Sequence, residues 1–185
     1  MPDLSRKFVV FAVFVMLGCM ACAAQSMSGF FSSPKGFGLS LQTPSGDSFD
    51  SFTIHVDMYG LFSSRTDIPG VKVCYTRNRI LKTYERDGRR VETYLGLGCA
   101  AGYVHDFEKG DSALRRHPGA SIALAGVIGS RMVFKNVPVC LDFSFRGEAG
   151  VHIRTDEELG NSSLSLYVNG LIQTLSPQVS ILYCF

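Results

Sequence analysis

The sequence predicts an all-β chain: a closed antiparallel up-and-down transmembrane β-barrel of about eight strands. Three observations predict it. Apolar residues recur at every second position through most of the chain after residue 25, which is the strand period. Beyond that point no apolar run reaches the ~18 residues a membrane-crossing helix needs, whereas ~9–11 tilted strand residues suffice. The two faces of the alternating segments also differ in size: one carries Phe, Leu, Ile and Tyr, the other Gly, Ser, Ala and ionisable groups.

The N-terminus is read first, because it is not part of the fold. Arg6 and Lys7 form a short basic region, Phe8 to Leu17 is unbroken apolar sequence, and small residues follow at Gly18, Ala21, Ala23 and Ala24. That order predicts a secretory signal peptide over 1–24 and a barrel domain over 25–185. The rival reading is a lipoprotein signal acylated at Cys19. The 185 residues fit one domain. After processing, 18 − 2 = 16 Lys and Arg face 16 − 1 = 15 Asp and Glu, a balance that gives no case for nucleic acid.

The strands follow in order. Phe37, Leu39 and Leu41 alternate with Gly36, Gly38, Ser40 and Gln42. Phe52, Ile54, Val56, Met58 and Phe62 share one face of Ser51–Phe62, opposite His55 and Asp57. Val71, Val73 and Tyr75 begin a face that Arg77 and Arg79 break, which predicts a bulge or an exit from the membrane near Arg77. Val91, Leu95, Leu97, Cys99, Ala101 and Tyr103 alternate with Glu92, Gly96, Gly98, Ala100 and Gly102. Ile122, Leu124, Ile128, Met132 and Phe134 share a face. Val139 to Ile153 is the clearest case, with apolar Leu141, Phe143, Phe145, Val151 and Ile153 against Asp142, Ser144, Arg146, Glu148 and His152. Ser163–Leu175 and Val179–Phe185 complete the count. Turn residues separate these segments at Thr43–Asp47, Thr66–Gly70, Arg86–Gly88, Lys109–Asp111, Lys135–Pro138, Gly160-Asn161 and Ser176-Pro177, Asp87-Gly88 being the strongest hairpin sequence.

A soluble barrel would turn its apolar face inward, and an outer-membrane barrel turns it outward. The small residues of one face suit a crowded lumen, and the large ones of the other suit lipid. The chain ends on Phe185, with Tyr183, Ile181 and Val179 on the same face. About 160 residues over eight strands is the size of barrels whose lumen is filled by side chains.

The whole mature chain resembles the small outer-membrane β-barrel proteins widespread in Bacteroidetes-type bacteria, of the eight-stranded OmpX/OmpA-like kind. Phe134–Phe145 is similar to a strand–tight-turn–strand unit of that group, and Pro177–Phe185 to its final strand. The resemblance implies an outer-membrane location, with Phe185, Tyr183, Ile181 and Val179 as an insertion signal. It also implies contact with outer-membrane lipids and with the barrel-assembly machinery during insertion, and leaves the loops as the surface for a protein partner. It carries no catalytic residue.

The polar face supplies the candidate site. Asp142, Arg146, Glu148 and His152 lie on one strand, and Glu92, Arg131, His55 and Asp57 are expected to face the same space. This reads as a lumen network in which each buried charge finds a partner. The histidines, His55, His105, His117 and His152, have no metal-ligand spacing, and no motif implies a cofactor. A lipid-modifying enzyme would need a nucleophile and base at the rim. His105 and Ser112 are the nearest such residues, without a recognisable pairing, so no enzymatic activity is expected, and the reading is a structural or interaction role rather than transport. The alternatives are a lipid-modifying enzyme or specific binder on the same scaffold and, third, a soluble periplasmic barrel that holds an apolar ligand. Cys74, Cys140 and Cys184 fall on the lumen face and Cys99 on the outer face, where free thiols are expected. With the strands taken in this order, Phe107–Pro118 and Arg154–Ser162 would lie on the same side as the termini, against the habit of outer-membrane barrels. The alternative makes Ser163–Leu175 an extended loop and draws an extra strand from Met27–Pro34.

Overall fold

A computed structural model describes residues 26–33, 36–57, 70–105, 118–155, 162–169 and 176–185. The expected signal peptide, 1–24, lies outside the described residues. The elements are β1 (Met27–Ser33), β2 (Gly36–Ser45), β3 (Ser48–Asp57), β4 (Gly70–Arg86), β5 (Arg89–His105), β6 (Pro118–Phe134), β7 (Val139–Thr155), β8 (Ser162–Asn169) and β9 (Ser176–Cys184). Neighbouring strands pair antiparallel in the order β6-β5-β4-β3-β2-β1-β9-β7-β8, and a β6–β7 pairing closes the ring. β8 and β9 share one lane: β8 pairs with Glu148–Thr155 of β7, and β9 pairs with Val139–Arg146. The wall therefore closes in eight lanes through β9, while β8 pairs on one side only, with β7, among the described residues.

The stagger of the wall follows from its registers. From Ser28 the short route passes Tyr183 and reaches Val139. The long route passes Leu41, Phe52, Tyr75, Cys99 and Leu124 and reaches Ala149. The two routes meet β7 at positions differing by 149 − 139 = 10 residues. Ten residues over eight lanes tilts the strands by about 40° for ordinary strand rise and spacing.

Two points correct the expected strand order. Met27–Ser33 is a strand, and Ser162–Asn169 extends the last lane instead of forming a lane of its own. Ser176-Pro177 begins β9 and is not a turn. The count of eight survives, but every connection changes side. The rim that carries Ser26 and Phe185, joined by Phe185 N–H to Ser26 C=O at 3.0 Å, also carries the turns Gly46-Asp47, Asp87-Gly88 and Lys135–Pro138. The opposite rim carries the two-residue connection 34–35 and the longer connections 58–69, 106–117 and 156–161. Apart from 34–35, short turns lie beside the termini and long connections opposite, the habit of outer-membrane barrels, so the expectation for Phe107–Pro118 and Arg154–Ser162 is reversed.

The turns use the residues their geometry needs. Asp87 and Gly88 both have positive φ, 47° and 74°, which is the type I′ hairpin that matches strand twist. The bulge in β4 falls between Ile80 and Lys82. Arg77 itself is in regular register with Leu97 and Asp50.

Burial alternates along the strands. Phe30, Leu97, Leu124, Phe143, Leu166 and Ile181 are exposed on the outside, while Glu92, Arg131, Asp142, Glu148 and His152 are each at most 3% exposed inside. Large apolar side chains outside and ionisable ones inside invert the plan of a soluble barrel.

Candidate functional site

The period-two pattern aims each polar residue inward, and the registers decide which of them meet. Two clusters result. The first lies toward the terminal rim. Arg131 Nε donates to Glu92 Oε2, and its Nη1 donates to Gln42 Oε1 at 3.2 Å. The Arg131 guanidinium lies 3.9 Å over the Phe49 ring, a cation–π contact. Gln42 Nε2 then donates to Asp142 Oδ2 at 2.7 Å, and the Tyr94 hydroxyl donates to Asp142 Oδ1 at 2.7 Å. Phe49 and Tyr94 meet edge to face with centroids 4.9 Å apart. Arg90, at the mouth, reaches Glu92 Oε1 at 2.9 Å. Asp142 thus has two donors, and Glu92 has one donor and a second cation beside it, which is how a buried charge is compensated.

The second cluster lies toward the loop rim. Lys72 Nζ and Glu148 Oε2 are 2.6 Å apart, with side chains 8% and 1% exposed. Arg146 Nη1 donates to Thr53 Oγ1 at 3.1 Å. His152, at 0% exposure, is on the same inward row. His55 stacks on Phe31 at 5.6 Å and meets Ser33 Oγ at 3.3 Å, so it belongs to the wall near β1 and not to the Glu92–Arg131 group. The Asp57 and His105 side chains, and all of Ser112 and His117, lie outside what is described.

Close approach of backbone fills the rest. A Cβ on Gly98 would lie 1.8 Å from Tyr75 C=O, and one on Gly96 would lie 1.9 Å from Asn78 Oδ1. These glycines are inward, where a narrow, strongly coiled wall brings neighbours together. The space left among Gln42, Phe49, Thr53, Asn78, Tyr94 and Arg146 is about 20 Å³, room for roughly one water molecule. Side chains thus fill this stretch of the lumen.

Asp142, Arg146, Glu148, His152, Glu92 and Arg131 are thus all inside, divided between two clusters. Sequence reasoning missed Gln42 and Tyr94 as the bridge between Arg131 and Asp142, and Lys72 as the partner of Glu148. All three stand at inward parity; what the sequence lacks is the register that sets them opposite their partners. No group of three or more His, Cys, Asp or Glu that could hold a metal occurs among the described residues. Cys74, Cys99, Cys140 and Cys184 are free thiols, with Cys74 and Cys140 buried inside. Val179, Ile181, Tyr183 and Phe185 form an exposed row on β9 and the residue after it.

Fold and interior together define a closed antiparallel barrel with an ion-paired, side-chain-filled lumen. No family model matches the chain, and no curated protein does. A solved structure of a major outer membrane protein from Thermus thermophilus aligns with 88% of this chain and 100% of its own, at 13% identity and a TM-score of 0.46. At that score the likeness carries no weight for function. The Bacteroidetes-type resemblance therefore rests on the sequence pattern alone.

Proposed function

We propose that this chain is an integral outer-membrane barrel with a structural or docking role, and that it neither transports solute nor catalyses a reaction. The observation that carries the proposal is the inverted wall: Leu124, Phe143 and Ile181 outside, Asp142 and Glu148 inside. Water outside would leave the apolar band unsatisfied, whereas hydrocarbon satisfies it. The same inversion argues against a soluble barrel holding an apolar ligand, whose interior would be greasy. The terminal rim would face the periplasm, and the connections 58–69, 106–117 and 156–161 would face outward as the surface for a protein partner. The row Val179, Ile181, Tyr183 and Phe185 would be read by the assembly machinery. The carboxylates of Glu92, Asp142 and Glu148 are each engaged by neighbouring donors inside the wall, which supports a structural use of these groups.

The experiment is fractionation with heat-modifiable gel mobility, followed by single-channel recording in planar bilayers. A membrane-extracted, heat-modifiable band without steady conductance is expected. Release by salt alone overturns the membrane reading, and a stable open pore overturns the plugged lumen.

A further inference from the structure

Charge on the outer wall between the rims is confined, among the described residues, to one place. Among the described residues, the outward-facing charges between the rims are Asp50, Arg77 and Arg79, all on β3 and β4. Their height follows from the stagger: a level line shifts by 10/8, about 1.25 residues per lane, relative to the pairing line. Tyr75 lies on the pairing line of Val139, five lanes away, so its level on β7 is near residue 145. Arg77 then stands level with Phe143, and Arg79 with Leu141, which are 46% and 40% exposed on the far wall. Both arginines lie within the lower part of the apolar band.

Their local partners leave one cation uncompensated. The Tyr75 hydroxyl donates to Asp50 Oδ1 at 2.9 Å, and Arg77 Nη1 stands 3.7 Å from Asp50 Oδ2. Arg77 Nη2 also reaches Ser48 Oγ at 3.5 Å. Asp50 is thereby occupied on both oxygens. Arg79, paired in register with Ser48, has no acidic partner among the described residues. Exposed Leu95 and Leu97 flank the two arginines on the β5 side. A guanidinium held against an apolar wall needs an anion that can come to it at that depth.

We propose that Arg79, with Arg77 and Ser48, holds the phosphate of a phospholipid in the leaflet at the terminal rim. This rests on the membrane reading above. Long arginine side chains reach toward an interface, and the planar guanidinium matches two phosphate oxygens. The acyl chains of the same lipid would lie along Leu95 and Leu97. An acidic protein segment is the alternative occupant, and it would not need the apolar flank.

The test is native mass spectrometry of the full chain from nanodiscs of phosphatidylcholine and phosphatidylglycerol, after mild delipidation. Wild type is expected to retain phospholipid. Arg79→Gln should lower occupancy roughly tenfold, the size of one charge-assisted hydrogen bond, and Arg79→Lys should lower it less. Arg86→Gln, on the exposed end of β4, should change nothing; heat-modifiable mobility checks that every variant folds. Equal retention by Arg77→Gln/Arg79→Gln and wild type would overturn the proposal while leaving the membrane reading intact, as would an equal loss in Arg86→Gln. Failure of wild type to enter the bilayer would overturn both.

Discussion

Asp142 is bonded from two sides of the lumen, by Gln42 of β2 and Tyr94 of β5. Its own strand is β7, so one carboxylate ties three strands. Asp142→Ala would orphan both donors and deprive Arg131 of a nearby charge, a loss of about 3–5 kcal/mol; urea unfolding in detergent measures it. The Arg131–Glu92 pair gives a sharper test. Arg131→Met alone leaves a buried carboxylate short of a partner and should cost on the order of 3–5 kcal/mol. Arg131→Met with Glu92→Met removes both charges and should cost less than the single change. Gly98→Val has no room, because its Cβ alone would lie 1.8 Å from the Tyr75 carbonyl oxygen, a backbone atom of the paired strand. It should abolish the folded, heat-modifiable band of unheated samples.

Among the elements, the β4–β5 hairpin is distinctive. β3 stops pairing with β4 at Arg79, yet β4 and β5 continue to Arg86 and Arg89. The level of Val139 crosses β4 near residue 81, so the hairpin projects on the order of 15 Å beyond the terminal rim. Lys135 of the neighbouring turn steadies it, donating its N–H to Gly88 C=O at 2.9 Å and its Nζ to Glu85 Oε2 at 2.8 Å. The Lys135 hydrogen bond, and then its charge, hold the Glu85 carboxyl below its ordinary pKa. The folded hairpin therefore gains from an ionised Glu85 above the unfolded value. That gain fades as pH falls through the window between the unfolded and folded values, and is gone below the folded one. A carbon-13 titration should place the Glu85 midpoint below an ordinary glutamate, and Lys135→Gln should return it. This hairpin was legible in Asp87-Gly88, which only a I′ turn uses so readily. The β1 lane was harder, because Met27–Ser33 offers only Phe30 as an exposed apolar residue and has no clear alternation. β8 and β9 read as two strands because the sequence shows their separate apolar faces but not that both pair with β7. Faces are local and period two reveals them, whereas partners such as Gln42 and Asp142 depend on registers between distant segments.

For the whole molecule, eight lanes with a stagger of ten make a wall narrow enough for opposite side chains to meet. Closure puts the ionisable groups where they can pair and turns Phe30, Leu97, Phe143 and Ile181 away from them. The polar interior and the apolar exterior are thus one consequence of a single register. The same closure ties Ser26 to Phe185, so strand order and sidedness stand or fall together. Spin-label accessibility along β7 tests this most directly, with single cysteines at positions 139–153 in a cysteine-free background folded into phospholipid vesicles. Labels at Leu141, Phe143, Val151 and Ile153 should collide with oxygen dissolved in the bilayer. Those at Asp142, Ser144 and Glu148 should be shielded from oxygen and from water-soluble nickel alike. Nickel access at Leu141, Phe143, Val151 and Ile153, with Asp142 and Glu148 facing bulk water, would contradict the inverted wall.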